Sequence, residues 1–165
     1  MYKFVLPDMP REKSVLAQKD LKTAYLLKKA FVGAHGELNS AVKFIYCFYS
    51  LSQKQKYREA EIMLSIAVDE MKHFQRLGKL IDSLGVDLVY TAYPPIDFSN
   101  CKISCLDYPL RKTVTDCVSL KLTSIKCYEK TLDKIDNNYA EKIVKDILEK
   151  EKSHLDILES LLKKH

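Results

Sequence analysis

Apolar residues recur at alternating steps of three and four along most of this chain, a period that predicts α-helix. From Asp20, an N-cap residue, to Leu51 the stripe reads Ala30, Gly33, Glu37, Ala41, Phe44, Phe48, Leu51, so one long helix is expected over about 20–51. The polar turn Ser52-Gln53-Lys54-Gln55 leads to a second helix over 56–84, with stripe Met63, Ile66, Glu70, His73, Leu77, Leu80, Leu84. Gly85 is its natural C-cap. The period fails from 86 to 108, where Tyr93-Pro94-Pro95 and Ser99-Asn100 mark irregular chain. It returns in a third helix over 109–135, with stripe Leu110, Val114, Cys117, Lys121, Ile125, Tyr128, Leu132, Ile135. A turn at Asp136-Asn137-Asn138 opens a fourth helix over 139–163, with stripe Ala140, Val144, Ile147, Glu151, His154, Leu158, Leu161.

This pattern predicts a single all-α domain over 1–165, a four-helix bundle of two helical hairpins joined by a long crossover at 86–108. A connection of that length is unusual as a loop, but even partly extended it spans roughly 45 Å, enough to travel the length of a bundle. At 47% hydrophobic and 30% charged, the 165 residues suffice for a sizeable core. Apolar runs fall short of a membrane span, and the stretch Met1 to Pro7 is too short for a signal peptide, so no membrane and a cytoplasmic location are expected. The net charge of +5 is scattered along helix faces without a basic block interleaved with aromatics, so no nucleic-acid partner is expected. The five cysteines contain no pair of Cys-x-x-Cys motifs, so neither a rubredoxin-type iron site nor a zinc ribbon is encoded. Cys101 and Cys105 fall in the crossover, Cys47, Cys117 and Cys127 on helices, and all five are expected as reduced thiols.

Candidate chemistry lies inside the stripes. The chain spells Glu-x-x-His twice, as Glu70-Met71-Lys72-His73 and Glu151-Lys152-Ser153-His154. A Glu and a His three apart share one helix face, and burying both is costly unless a partner such as a metal ion satisfies them. One copy alone arises by chance on charged helices, and Glu37 alone could face solvent. Position along the bundle argues otherwise. Glu37 lies 16 residues before the first turn near Gln53 and Glu70 lies 17 after it, so both stand roughly 25 Å from that turn. About the second turn near Asn137, Glu151 lies 14 residues after and Lys121 lies 16 before. Glu129, only 8 before, is misplaced by roughly 9 Å and flanks the stripe. Glu37, Glu70, His73, Glu151, His154 and Lys121 are therefore expected at one level.

The chain resembles the ferritin-like proteins of the rubrerythrin and di-iron carboxylate group, especially stand-alone bacterial forms related to spore-coat and manganese-catalase-like proteins. The residues that carry the resemblance are Gly36-Glu37-Leu38 with Tyr46 and Tyr49, and Ile66 to His73 continuing to Leu77-Gly78-Lys79-Leu80-Ile81 and Leu84-Gly85. Ser124 to Tyr128 and Glu151 to Leu155 extend it into the second hairpin. The resemblance covers roughly 25–90 and 108–163, and it implies the ferritin-like topology. It also implies a site in which each hairpin gives one Glu from its first helix and Glu-x-x-His from its second, the six residues holding two iron or manganese ions. Glu37, Glu70, His73, Glu151 and His154 match ligand positions. The sixth falls on Lys121, whose protonated amine has no lone pair for a metal. Phe44 stands where relatives often carry a tyrosine.

Lys121 is expected to replace metal charge, reaching Glu37 or Glu151 and taking the first-hairpin metal position, which leaves one ion or none. The competing arrangement bends Lys121 away toward the bundle end and completes a distorted dinuclear site with Glu129 or water. Two function classes follow. One is a metal-dependent oxidoreductase or iron-handling protein served by an external electron donor, with Tyr46, Tyr49 and Tyr128 as nearby phenols. The other is a non-enzymatic bundle with a salt-bridged core, acting in assembly or partner binding. Thiol chemistry at Cys117, one turn from Lys121, is a third and weaker idea. By resemblance a homo-oligomer is expected, a dimer paired through the first two helices.

Overall fold

The structure, a computed structural model, describes residues 19–88 and 108–164. Five helices make up four rods: α1 (Leu21–Val32) and α2 (Glu37–Gln53), then α3 (Tyr57–Ser83), α4 (Leu110–Leu132) and α5 (Asn138–Lys164). Asp20 caps α1 by accepting from the Thr23 amide at 3.0 Å. Asn137 caps α5 the same way, from Tyr139 at 3.1 Å and Ala140 at 3.0 Å. Gly85 follows α3 with φ +90°, a left-handed conformation that suits glycine. The helix expected to reach 135 ends at Leu132, although Ile135 is still buried. The crossover expected at 86–108, its cysteines 101 and 105, and the stretch from Met1 to Pro7 lie outside the described residues, except for 86–88 and Tyr108.

The first rod departs from expectation. The stripe across 20–51 suggested one continuous helix, but it is broken at Gly33–Gly36. Gly33 ends α1 and Gly36 opens α2, both with extended backbone, and the Gly36 amide donates to the Gly33 carbonyl at 2.8 Å. Side chains are excluded here. A Cβ on Gly33 would stand 2.2 Å from the Lys29 carbonyl oxygen, and one on Gly36 would stand 2.6 Å from that of Ala30. Ser124 on α4 reaches across to donate to the His35 carbonyl at 3.1 Å, satisfying one carbonyl that the break frees. The break makes Glu37 the first residue of α2 instead of a mid-helix position.

Packing divides the interior into two apolar blocks. One contains Leu27, Phe31, Leu77, Ile81, Ile125, Val144 and Ile147, with Phe31 stacked on Phe74 at 4.2 Å between ring centroids. The other contains Phe44, Leu51, Met63, Ile66, Val114, Leu158 and Leu161. Between them lies a buried layer of Glu37, Glu70, His73, Lys121, Glu151 and His154. None of the described helices is long and apolar enough to cross a membrane.

Gly36→Ala is expected to destabilise the fold by about 1–3 kcal/mol, because the added carbon meets fixed backbone of Ala30 and Gly33. In a domain of this size that lowers the thermal midpoint by roughly 3–10 °C, measurable by circular dichroism.

Candidate metal centre

Four rods each send side chains to one level. Glu37 enters from the first turn of α2, Glu70 and His73 from α3, Lys121 and Tyr128 from α4, and Glu151 and His154 from α5. All are buried, and Lys121 and Glu151 have no solvent exposure at all. The structure thus brings together every sequence-predicted site residue. Glu129 is exposed and plays no part.

Lys121 does not bend away. Its ammonium donates to Glu70 Oε2 at 2.6 Å and to Glu151 Oε2 at 2.7 Å, and lies 5.3 Å from the centre of the Phe44 ring. Of the two carboxylates expected within its reach it takes Glu151 and not Glu37, and it adds Glu70 of the first hairpin. Its two carboxylate partners belong to α3 and α5, while Glu37, Glu70, His73 and Glu151 keep one ligand atom each within 4.8 Å of one another. Donors around one ion with bonds of about 2.0–2.2 Å stand at most about 4.4 Å apart, so the quartet would have to draw in slightly to hold one. His154 stands outside this quartet, on the Lys121 side.

The remaining donors converge without being satisfied. His73 Nδ1 lies 3.3 Å from Glu151 Oε1 and 3.6 Å from Glu37 Oε2. His154 Nδ1 lies 3.3 Å from Glu70 Oε1 and 3.7 Å from Glu151 Oε1. None of these approaches is aligned as a hydrogen bond, so those two nitrogens and three oxygens are buried without a partner. Orphaned buried groups are costly, and five at one point are what a cation would satisfy. The donor set of carboxylates and imidazoles suits iron or manganese. On this observation the residues present fit a metal ion.

Two further residues support the cluster: Asp69, not assigned from sequence, and Tyr128, expected as a nearby phenol. Asp69 Oδ2 lies 3.3 Å from His154 Nε2, which turns Nδ1 of that ring inward. Its only sequence signal is its place directly before Glu70. Tyr128 donates its hydroxyl to Glu37 Oε1, leaving Oε2 to face the cluster. Of the expected phenols only this one is at the site. Tyr46 and Tyr49 are 42% and 59% exposed, turned outward on α2.

Burial and mutual charge set the protonation of the cluster. Burial, with the charges of Glu70 and Glu151, pushes Glu37 up to about 7 against the pull of His73. Burial disfavours charged His73, but Glu151 and Glu37 outweigh it and raise the ring to about 9. Burial also opposes charge on Lys121 and Glu151, yet the carboxylates hold Lys121 above its ordinary value, and His154, His73 and Lys121 hold Glu151 well below its own. Asp69 is held down to about 2 against its partial burial by Lys72 and His154.

These shifts fix a sign for the metal-free chain. Folded Glu37 keeps its proton up to about 7 and folded His73 up to about 9, whereas the unfolded chain releases them near 4.5 and 6.5. Both contributions are present at the acid end of that range and lost as pH rises through the folded values. The chelator-treated protein is therefore expected to melt at a lower temperature at about pH 9 than at about pH 6, in thermal scans at constant ionic strength. Glu37→Gln should flatten the lower part of that slope.

A family model described as Rubrerythrin matches residues 26–162. The chain superposes on KatB, a manganese catalase from Anabaena, with a TM-score of 0.80 at 16% identity, covering 98% of this chain and 80% of that one. A second structure of KatB, from Anabaena PCC7120, gives a TM-score of 0.82 at 16% identity over the same shares. A Rhodobacter capsulatus bacterioferritin with a metal-free dinuclear site gives 0.74 at 17% identity, covering 88% of this chain and 86% of that one. At such identities the likeness speaks for the fold, a ferritin-like helical bundle, and not for activity. No curated protein sequence matches the chain. The matched span takes in all six residues of the charged layer, and this chain belongs to the rubrerythrin family.

Proposed function

We propose that the bundle holds a single divalent iron or manganese ion between Glu37, Glu70, His73 and Glu151, with the Lys121 ammonium standing in for a second. The observation that carries this reading is the set of orphaned donor atoms beside a lysine already paired with two carboxylates. Charge supports it. The layer carries three carboxylates and one ammonium. One divalent cation with neutral histidines balances that set, whereas two would leave it doubly positive in a buried place. Exchanging a ligand Glu for Lys shifts the local charge by as much as one divalent ion supplies.

The function that fits is a metal-dependent oxidoreductase or iron-handling protein, with electrons from an external donor. A bound iron or manganese would supply Lewis acidity and one-electron redox chemistry. The chain's own residues prepare the place. Tyr128 orients Glu37, Asp69 sets the tautomer of His154, and Lys121 pins one oxygen each of Glu70 and Glu151 while leaving the other free. The apolar blocks on either side keep bulk water out. We further propose a homo-oligomer in a reducing, cytoplasmic setting, which suits Cys47, Cys117 and Cys127 as thiols outside any disulfide.

A second reading has its own support. The double salt bridge of Lys121 and a protonated His73 go far toward balancing the layer without metal, as a non-enzymatic bundle kept for assembly or partner binding would require. Metal content separates the two. After anaerobic reconstitution with Fe(II), or separately Mn(II), and desalting, elemental analysis is expected to find one ion per chain. Lys121→Glu should raise this to two, and His73→Ala should lower it to none. No bound metal in the unaltered chain would favour the salt-bridged reading, and two ions would mean that Lys121 yields its place.

A further inference from the structure

The mechanism above leaves one pair of chemically reactive side chains unused. Cys47 on α2 and Cys117 on α4 are both fully buried, and their sulfurs lie 3.6 Å apart. They are 70 residues apart in sequence and belong to different hairpins. Their place in the fold is specific. Three residues before Cys47 on α2 stands Phe44, and four after Cys117 on α4 stands Lys121, whose ammonium meets the Phe44 ring. The two thiols form the next rung of the same α2–α4 contact, one turn from the charged layer.

A disulfide has a sulfur–sulfur bond of about 2.05 Å, so closing this pair needs an approach of about 1.5 Å. Side-chain rotation and a small shift of two helices supply movements of that size. Burial limits the oxidant. A bulky disulfide cannot reach either sulfur for exchange, whereas a small uncharged hydroperoxide can enter an apolar interior. A single buried cysteine here would be packing and nothing more. Two facing each other across the hairpins are a dithiol.

We propose that Cys47 and Cys117 are a redox site that a hydroperoxide converts to a disulfide, tying the first hairpin to the second. One sulfur attacks a peroxide oxygen and the O–O bond breaks. A sulfenic acid forms, and the departing oxygen leaves as water or alcohol with the thiol proton. The second sulfur then attacks the sulfenic sulfur. The S–S bond forms, the S–O bond breaks, and water departs with the second proton. Two thiols thus give two electrons to one O–O bond. The step needs no metal and stands apart from the proposed metal function.

The test uses the full-length, metal-free protein titrated with hydrogen peroxide, then denatured, alkylated and mapped by mass spectrometry without reductant. Cys47 and Cys117 are expected to escape alkylation together and to appear in one linked peptide pair. The oxidised protein should melt at a higher temperature, and dithiothreitol should reverse both changes. Cys47→Ala and, independently, Cys117→Ala should each abolish the linkage and the rise in melting temperature. Circular dichroism on each variant checks that it folds, and either one suffices. Cys47 and Cys117 remaining alkylatable at peroxide levels that oxidise the less buried Cys127 would overturn the proposal. So would a linkage that omits either of them.

Discussion

The structure depends on keeping a layer of charge inside a bundle that is otherwise apolar. Three carboxylates, two imidazoles and one ammonium occupy one level between two hydrophobic blocks. Taking such groups out of water costs several kcal/mol for each ion, and only close pairing offsets it. Lys121 supplies the shortest pairing, bridging α3 and α5 from α4 through two hydrogen bonds. Without it Glu70 and Glu151 would face each other with only the two histidines beside them. Removing one member of a buried pair of this kind costs about 3–5 kcal/mol, a large part of the stability of any domain.

The rest of the site follows from how each rod delivers its residue to that level. The break at Gly33–Gly36 restarts the helix at Glu37, so its carboxylate enters from a helix N-terminus. A carboxylate is favoured at that end, yet burial and two neighbouring carboxylates still push Glu37 up to about 7. Ser124 and Tyr128, one turn apart on α4, hold the two sides of this junction, one through the His35 carbonyl and one through Glu37 itself. The break is therefore coupled to the second hairpin and is not a local irregularity.

Much of this was legible in the chain because helical period and distance from a turn are arithmetic. Counting from the two turns placed Glu37, Glu70, Glu151 and Lys121 at one height, and the doubled Glu-x-x-His supplied both histidines. The break was not legible, because Gly33 and Glu37 both fit the period of an unbroken stripe. Tyr46 and Tyr49, candidates by resemblance, lie off the stripe of Ala41, Phe44, Phe48 and Leu51 and turn outward. Glu151 was one of the two expected partners of Lys121, but Glu70 was beyond reach for a different reason. A side chain with four rotatable bonds has several carboxylates within its radius, and the helical period does not choose among them. The support that Asp69 gives His154 depends on the pairing of α3 with α5, which a one-dimensional pattern does not contain.

The choice of lysine over any other non-ligand residue has a physical consequence of its own. A glutamine at position 121 would remove one negative charge, and water could fill the coordination position it vacates. The lysine instead adds a cation beside Glu70 and Glu151, which on the proposed reading stands where a second ion would sit. Coulomb repulsion then works against a second metal even where His154 still offers its nitrogen. The quartet on the far side, led by Glu37 and His73, keeps its donors and gains relative to the position beside Lys121. An asymmetric site built this way is not a damaged version of a symmetric one. One metal ion in the quartet would give Glu37, His73 and the free oxygens of Glu70 and Glu151 a cation to face, while Lys121 holds the other oxygens of those two carboxylates.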